Sequence, residues 1–461
     1  MVTSGPILLL ILLLAIAFIV FSTAKLKLHP FLALIITAYG VGLAARMPAV
    51  NVVKTIADGF GGLMTSIGLV IIAGTIIGVF LEKSGAAIVM ADTILKWVGE
   101  KRPALAMTII GYIVSIPVFC DSGFVILSSL NKALAKKSGV SLTTLAVALS
   151  TGLYATHTMV PPTPGPLAAA ANVGATNLGL VIMIGLVCAI PPAIAGLIWA
   201  QRVGKKHAAA TTTQGTAPAA PAENPSAAWE ALKAQYKHLP NPVAAFAPLI
   251  VPILLIAIAS IADFPSHPFG NGQLKYVLDF FGQPFTALMI GIVLCYFLVE
   301  KLDQSTLSDW ISIALKDASI ILIVTGAGGS LGKILSATPI GAYLGTTLAQ
   351  YKLGIFLPFI IAAALKTAQG SSTVALVTTS ALLNPMMASL GFASDLGRVM
   401  VVMAIAAGSM VVSHANDSYF WVVSQFSDMD VPTAYKAQTT GTLITGVVGI
   451  VWVAILTLIL V

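Results

Sequence analysis

Four titratable side chains lie in short polar breaks that interrupt long apolar stretches of this sequence. Asp121 and Asp417 are the acidic ones, and His157 and His414 occupy corresponding breaks in the two halves of the chain. A carboxylate in apolar surroundings must be paired, hydrated or functional, because its burial is costly. Histidine titrates near neutral pH and can relay protons, or it can cap unsatisfied carbonyls where a helix is broken. All four residues are therefore candidates for carrying a proton.

The breaks also carry glycines and hydroxyl groups that suit the binding of a small anion. Two of them, Asp-Ser-Gly at 121–123 and Gly-Ser-Ser-Thr at 370–373, are predicted to be the tips of helical hairpins. Helix N-termini meet at such tips, and their unpaired N–H groups and dipoles favour an anion. Small residues are also common where membrane helices pack, so both interpretations stay open. The candidate substrate-binding residues are Asp121, Ser122, Gly123, His157, Thr158, Gln369, Gly370, Ser371, Ser372, Thr373, His414, Asn416 and Asp417.

Other motifs indicate neither a cofactor nor a metal. Residues 326–333 resemble a phosphate-binding loop, but Ala327 and Ile334 stand where that loop requires glycine and serine or threonine, so nucleotide binding is rejected. The three cysteines lack metal-ligand spacing. Lys366 precedes the second tip inside an apolar helix, where it attracts a carboxylate substrate or extends to the outer membrane interface. The second, structural role is slightly favoured.

The composition places all these breaks in a membrane protein. Hydrophobic residues make up 57% of the 461 residues, charged residues only 9%, and the mean hydropathy is +0.97. A soluble domain carries about 25% charged residues. Apolar runs such as 6–21, 177–200 and 440–461 are long enough to cross a hydrocarbon core about 30 Å thick. The net charge of +7 lies mostly in short loops, where it sets orientation, so a nucleic-acid partner is excluded.

Basic residues predict how the chain is oriented. Lys25 and Lys27 follow the first span and no basic residue precedes it, so the N-terminus is expected outside. The first half ends at Arg202, Lys205 and Lys206, which indicates the cytoplasmic side. Because each half has an odd number of crossings, the second half starts inside and ends outside. Both termini are therefore predicted to be periplasmic.

The same order of elements is predicted in residues 1–206 and in residues 241–461. Each half has three spans, an interfacial stretch (84–98 and 338–350), a hairpin, a broken span and a final span. Residues 207–240 form a cytoplasmic linker, which is rich in Ala, Thr and Pro over most of its length.

The hairpins and broken spans are recognised by polar residues or prolines that interrupt apolar runs. The interruptions fall at 120–123 and 368–373 in the hairpins, and at 156–158, 161–166 and 413–418 in the broken spans. Unwound backbone inside a membrane is tolerated only where it lines a cavity or is buried in protein. The predicted fold is an all-α polytopic membrane protein of two inverted-topology repeats, each with about five transmembrane helices, a re-entrant hairpin and a broken helix. Such repeats are typical of alternating-access transporters.

Three long motifs resemble the gluconate:proton symporter family. They are IPVFCDSGF at 116–124, THTMVPPTPGP at 156–166 and SHANDSYFW at 413–421, and the similarity covers nearly the whole chain except 207–240. The resemblance implies proton-coupled uptake of gluconate and related sugar acids across a bacterial inner membrane, with some members carrying other hydroxy-acids or D-serine. It also implies paired re-entrant hairpins, an elevator-like motion and, often, a homodimer.

The main hypothesis is thus symport of a small organic anion with a proton. In it the tips bind the substrate, and Asp121, Asp417, His157 or His414 takes up the proton. Sodium coupling is the alternative within transport, because unwound carbonyls beside Asp417 can hold Na⁺. An intramembrane enzyme, with a histidine as base and a serine as nucleophile, is the alternative from another class. The matched duplication argues against an enzyme, which gains nothing from two mirror-related sites.

Overall fold

The computed structural model describes residues 4–99, 101–211, 234, 236, 238–262, 269–270, 272–340, 343, 353–415 and 417–461. All regular secondary structure in these residues is helical. Among the described residues, six helices are long and apolar enough to cross a membrane, and a seventh span results if the bent pair Gln273–Gly282 and Pro284–Leu298 counts as one. The chain is therefore an all-α, multi-pass membrane protein, as its composition predicts.

The first half contains the elements that the sequence predicts, in the predicted order. It begins with helices Gly5–Ala24 and Pro30–Ala44, long helix 1 (Ala49–Lys83) and helix Ala86–Val98. Hairpin 1 then consists of Pro103–Val114 (arm a) and Cys120–Ser138 (arm b), and broken span 1 consists of Leu142–Met159 (arm a) and Pro164–Val173 (arm b). Final helix 1 is Leu178–Thr211.

The second half repeats this order. It begins with Pro242–Ala262, the bent pair and long helix 2 (Ser305–Ser336). Hairpin 2 consists of Phe356–Gln369 (arm a) and Ser372–Leu383 (arm b), broken span 2 of Asp395–Met410 (arm a) and Ser418–Phe426 (arm b), and final helix 2 is Val431–Leu460. Most of the predicted linker and most of the predicted interfacial stretch 338–350 lie outside the described residues.

The break in hairpin 1 lies slightly earlier than predicted. Arm a ends at Val114, and the non-helical segment covers residues 115–119. Pro117 falls within it, and proline lacks the N–H that a continuing helix needs. Cys120 and Asp121, which were predicted to be part of the break, instead form the first turn of arm b.

Broken span 1 is interrupted at one place rather than two. Arm a continues through His157 to Met159, so the predicted interruption at 156–158 is wrong. The backbone there keeps its helical hydrogen bonds, and the Val160 N–H still donates to the Thr156 carbonyl at 2.9 Å. The break begins only after Val160, where consecutive prolines remove the donors.

The two long helices cross where glycines let their backbones approach closely. A Cβ atom on Gly59 would lie 2.6 Å from the Gly329 carbonyl oxygen, so neither helix could carry a larger residue there without moving. Residues 326–333, which resemble a phosphate loop in sequence, are part of long helix 2. Gly326 and Gly329 pack against long helix 1, whereas Gly328 and Gly332 pack against residues 377 and 381 of hairpin 2. Long helix 1 in turn packs through Gly74 and Gly78 against the breaks of broken span 1 and hairpin 1.

Within each half, arm a of the hairpin packs tightly on arm a of the broken span. In the first half a Cβ atom on Gly152 would lie 2.4 Å from the Thr108 carbonyl oxygen. In the second half the same holds for Gly408 and the Phe359 carbonyl oxygen, also at 2.4 Å. The final helix of each half then packs on its broken span, with Gly185 against Met159 in the first half. The matching elements of the two halves thus make matching contacts.

Arm b of each hairpin also packs against the opposite half of the protein. Arm b of hairpin 2 packs on arm b of broken span 1, where the Asn172 amide nitrogen donates to the Ser380 hydroxyl at 2.9 Å. Arm b of hairpin 1 packs on arm b of broken span 2, where the rings of Phe124 and Tyr419 meet edge to face at 6.3 Å. Each hairpin tip is therefore held beside the broken span of the opposite half.

Candidate functional site: a buried charged cluster at the hairpin tips

Lys366 lies in the last turn of hairpin 2 arm a, and its side chain is completely buried. Its ammonium group donates to the Asp417 carboxylate, with an Nζ–Oδ2 distance of 2.6 Å, and to the carbonyl oxygen of Gly370. Gly370 ends the helix with a positive φ of 86°, a conformation that glycine adopts easily. The expectation that Lys366 extends to the membrane interface is wrong, because both of its acceptors lie inside the protein.

Asp417 is fixed as the N-cap of broken span 2 arm b. Its Oδ1 accepts the backbone N–H of Tyr419 at 3.1 Å, which satisfies one of the free donors of the helix start. Its Oδ2 accepts the Ser413 hydroxyl at 2.6 Å as well as the Lys366 ammonium. Both oxygens of this buried carboxylate therefore accept hydrogen bonds, and these bonds are strengthened by its charge.

Two tyrosines with neighbouring rings lie beside the ion pair. The rings of Tyr154 and Tyr419 lie 5.1 Å apart, and the Lys366 Nζ lies 5.9 Å from the centre of the Tyr154 ring, within cation–π range. The Tyr419 hydroxyl donates to the Ser150 carbonyl at 3.0 Å. Sequence reasoning missed these tyrosines, because an aromatic residue in an apolar helix gives no separate signal.

Asp121 is the second carboxylate of the cluster. It lies in the first turn of hairpin 1 arm b, close enough to Asp417 for the two carboxylates to interact electrostatically. The side chains that donate hydrogen bonds to it are the Ser418 hydroxyl at 3.4 Å and the Cys120 thiol at 3.6 Å. The side chain is half-buried. The structure thus brings both predicted carboxylates together with one lysine.

The two histidines have different environments. His414 lies with its Nε2 2.9 Å from the Thr367 carbonyl, which must accept, so this nitrogen carries the proton of the bond. This is the carbonyl-capping role that the sequence left open. His157 is buried beside Phe119, with 6.0 Å between ring centres, and its Nδ1 has no hydrogen-bond partner. It is near enough to Asp417 to interact electrostatically.

The second tip contains a further unpaired polar side chain. Both amide atoms of Gln369 are buried without a hydrogen-bond partner. Ser371, in contrast, caps hairpin 2 arm b, since its hydroxyl accepts the Val374 N–H at 3.3 Å. Ser372 is buried beside the hydroxyl of Tyr154. An unpaired buried amide lowers the stability of the folded protein by about 1–3 kcal/mol, so the presence of Gln369 at this position needs an explanation.

The remaining candidates have packing or local roles. The Ser122 side chain interacts with the Glu82 carboxylate, and a Cβ atom on Gly123 would lie 2.9 Å from a Leu153 methyl carbon.

Three predicted substrate-binding residues remain, and the structure describes two of them. The Thr158 hydroxyl donates to the Tyr154 carbonyl within its own helix, and the Thr373 backbone faces Gly165 of broken span 1. Asn416 lies outside the described residues. Within those residues, no group of three or more His, Cys, Asp or Glu side chains is arranged to hold a metal ion.

The cluster combines one buried cation, two neighbouring carboxylates and unpaired polar groups where discontinuous helices meet. In a helical membrane protein this combination is typical of a transporter. A family model described as GntP family permease matches residues 7–459. The chain belongs to the GntP permease family, and it is accordingly a membrane transporter and not an enzyme.

Several curated relatives resemble the chain over nearly their whole length. A gluconate permease of Pseudomonas aeruginosa is 32% identical over 95% of this chain and 94% of its own. The inner membrane permease YgbN of Escherichia coli is 34% identical over 92% and 93%, respectively. The D-serine transporter DsdX of E. coli is 30% identical over 95% and 96%.

Solved structures support the fold. The Neisseria gonorrhoeae protein MtrF, assigned to a class of antimetabolite efflux pumps, superposes with a TM-score of 0.68 over 95% of this chain and 96% of its own. The Alcanivorax borkumensis YdaH transporter gives a TM-score of 0.65 over 93% and 98%. At 13% and 12% sequence identity these similarities concern the fold alone.

Proposed function

We propose that the protein imports gluconate, or a related small sugar acid, together with protons across a bacterial inner membrane. The named relatives include a gluconate permease and an inner membrane permease, which supports both the substrate class and the location. The substrate is a small organic anion, so it needs a cation and several hydrogen-bonding groups inside the protein.

The observation that carries the proposal is the completely buried Lys366 at the tip of hairpin 2. A buried ammonium group is costly unless it is paired, and no packing purpose requires a charge there. It is the cation that a substrate carboxylate needs. The unpaired Gln369 amide and His157 Nδ1 in the surrounding breaks suit the hydroxyl groups of a sugar acid, which donate and accept.

The contacts and unpaired atoms of the site suggest a role for each residue. Lys366 binds the carboxylate, Gln369 and His157 bind hydroxyl groups, and Ser413 and the tyrosines hold the charged pair in place. Asp121, Asp417, His157 and His414 remain the candidates for the proton, with His414 the weakest because Thr367 already occupies its Nε2.

D-serine or another hydroxy-acid is the alternative substrate, and Asp121 is the observation that favours D-serine. The side chains that donate to this half-buried carboxylate, Ser418 and Cys120, are neutral, so it can pair with an ammonium group. The similarity to DsdX is consistent with that reading. Sodium in place of the proton is the alternative for coupling.

We also propose the architecture that alternating access requires. Residues 1–206 and 241–461 are inverted repeats joined by a cytoplasmic linker at 207–240, and both termini face the periplasm. The matching order and matching contacts of the two halves support this relation. An elevator-like motion and a homodimer follow from the resemblance to the symporter family.

Uptake of labelled gluconate into proteoliposomes tests the substrate class. The purified wild-type protein should take up gluconate, unlabelled sugar acids should compete, and D-serine should compete weakly. Lys366→Met should lower uptake by about 100-fold or more, because the carboxylate loses its charged partner. Lys316→Met removes an exposed lysine from long helix 2 and is the matched control. Competition by D-serine alone would move the assignment to D-serine.

A further inference from the structure

The Lys366–Asp417 pair provides an internal carboxylate at the position where a substrate carboxylate is expected to bind. We propose that Asp417 is a placeholder: the substrate carboxylate displaces it from Lys366, and the freed Asp417 then binds the coupling proton together with Asp121. This inference rests on the proposed function, since it requires an anionic substrate, and it adds an order of events at the site.

The burial of Lys366 and the charge of Asp417 make displacement necessary. An ammonium group has three donors, and two of them are used by the Asp417 Oδ2 and the Gly370 carbonyl. The side chain is completely buried, so water cannot screen a second carboxylate that approaches. Two carboxylates at one buried ammonium repel each other, and the substrate therefore binds well only when Asp417 moves away.

The charges of the pair give the number of protons. In the substrate-free pair the charges of Lys366 and Asp417 cancel. A bound monocarboxylate adds one negative charge to the buried site, and about one proton restores the balance. Coupling then follows from electrostatics, because either ion alone changes the charge of the buried site by one unit, whereas the two together leave it unchanged.

The groups around Asp417 determine where the proton goes. Those that face it are Lys366 from hairpin 2, Asp121 and Cys120 from hairpin 1, Tyr154 and His157 from broken span 1, and Tyr419 and Ser413 on its own element. Once Lys366 binds the substrate, Asp417 has lost its cation and interacts with a second carboxylate, Asp121. Such a pair holds one proton in common.

Release uses the same exchange in reverse. When the site opens to the cytoplasm, the proton leaves the Asp417–Asp121 pair and Asp417 is ionised again. It then competes for Lys366 and expels the substrate carboxylate. His414 takes no part, because its Nε2 stays bound to the Thr367 carbonyl.

Asp417→Asn tests the placeholder directly, since asparagine keeps the shape and loses the charge. At pH 8 the variant should bind gluconate at least about tenfold more tightly than the wild type, because no internal carboxylate occupies Lys366. Its binding should be nearly independent of pH. Exchange of gluconate across proteoliposomes should persist, while accumulation driven by a pH gradient is lost. Asp430→Asn, at an exposed helix-capping aspartate, is the matched control and should behave as wild type.

A measurement on the wild type alone gives a second test, which holds even if the variant does not fold. In weakly buffered solution, gluconate binding should remove about one proton per molecule bound, as a pH indicator reports. Weaker binding by Asp417→Asn, or no proton uptake by the wild type, overturns the placeholder role. Neither result affects gluconate transport itself, whereas a wild type that binds no gluconate overturns the proposed function.

Discussion

Lys366 is buried because two different local structures present acceptors to it. One is the Gly370 carbonyl at the end of its own helix, and the other is Asp417, held by its capping bond to Tyr419. Neither acceptor can be inferred from the residues next to Lys366, which explains why the sequence favoured an interfacial lysine. Replacing either Lys366 or Asp417 alone with a neutral residue leaves the other charge buried without a partner, which lowers the stability of the protein by about 3–5 kcal/mol.

Gln369 gives a prediction at the residue scale. Its two amide atoms are buried and unpaired, so Gln369→Leu should raise the free energy of unfolding by about 1–3 kcal/mol. The same substitution should weaken gluconate binding by about tenfold or more, because the substrate loses a hydrogen-bonding partner. Thermal unfolding and equilibrium binding on the same purified protein measure the two effects.

Asn131 is the matched control for that substitution. Its amide is likewise buried and unpaired, but it lies in hairpin 1 arm b, more than two helical turns beyond Asp121. Asn131→Leu should stabilise the protein and leave gluconate binding unchanged. If Gln369→Leu behaves in the same way, the unpaired amide has no role in substrate binding.

At the scale of elements, polarity and proline content predicted more than residue chemistry did. Both hairpins and both broken spans lie where the sequence predicts them, because proline and glycine act on the helix locally. The break in broken span 1 shows the limit of this reasoning. Polar residues at 156–158 indicated an interruption, yet a helix tolerates them, and only the prolines after Val160 end it. Contacts between the two halves depend on tertiary packing, so no short stretch of sequence predicts them.

Glycine contacts between hairpin and broken span give a prediction at this scale. Gly152→Ala and Gly408→Ala place a methyl group 2.4 Å from a backbone carbonyl oxygen, and each should cost about 1–3 kcal/mol of stability. Gly61→Ala, at a helical position with open space, should be neutral or gain about 1 kcal/mol. Equal thermal stability of all three variants would show that these contacts do not hold the two elements together.

At the scale of the whole molecule, the four polar breaks are far apart in sequence but lie close together in the fold, because the two halves pack against each other. Arm b of each hairpin lies on the broken span of the other half, so Asp121 and Asp417 meet although 296 positions separate them. The sequence predicted the repeated order of elements and hence a shared site. It also predicted the two carboxylates, but it did not predict that a buried Lys366 would pair with Asp417. In the proposed mechanism these three charged groups couple the binding of the substrate to the binding of the proton.

Accumulation of gluconate in proteoliposomes under an imposed pH gradient, without sodium, is the most direct test of this account. The wild type should concentrate labelled gluconate above its external level when the outside is acidic, and a protonophore should abolish the accumulation. Lys366→Met should show none, and Lys316→Met should match the wild type. Accumulation that requires a sodium gradient, or gluconate that only equilibrates whatever the pH gradient, would contradict proton-coupled import.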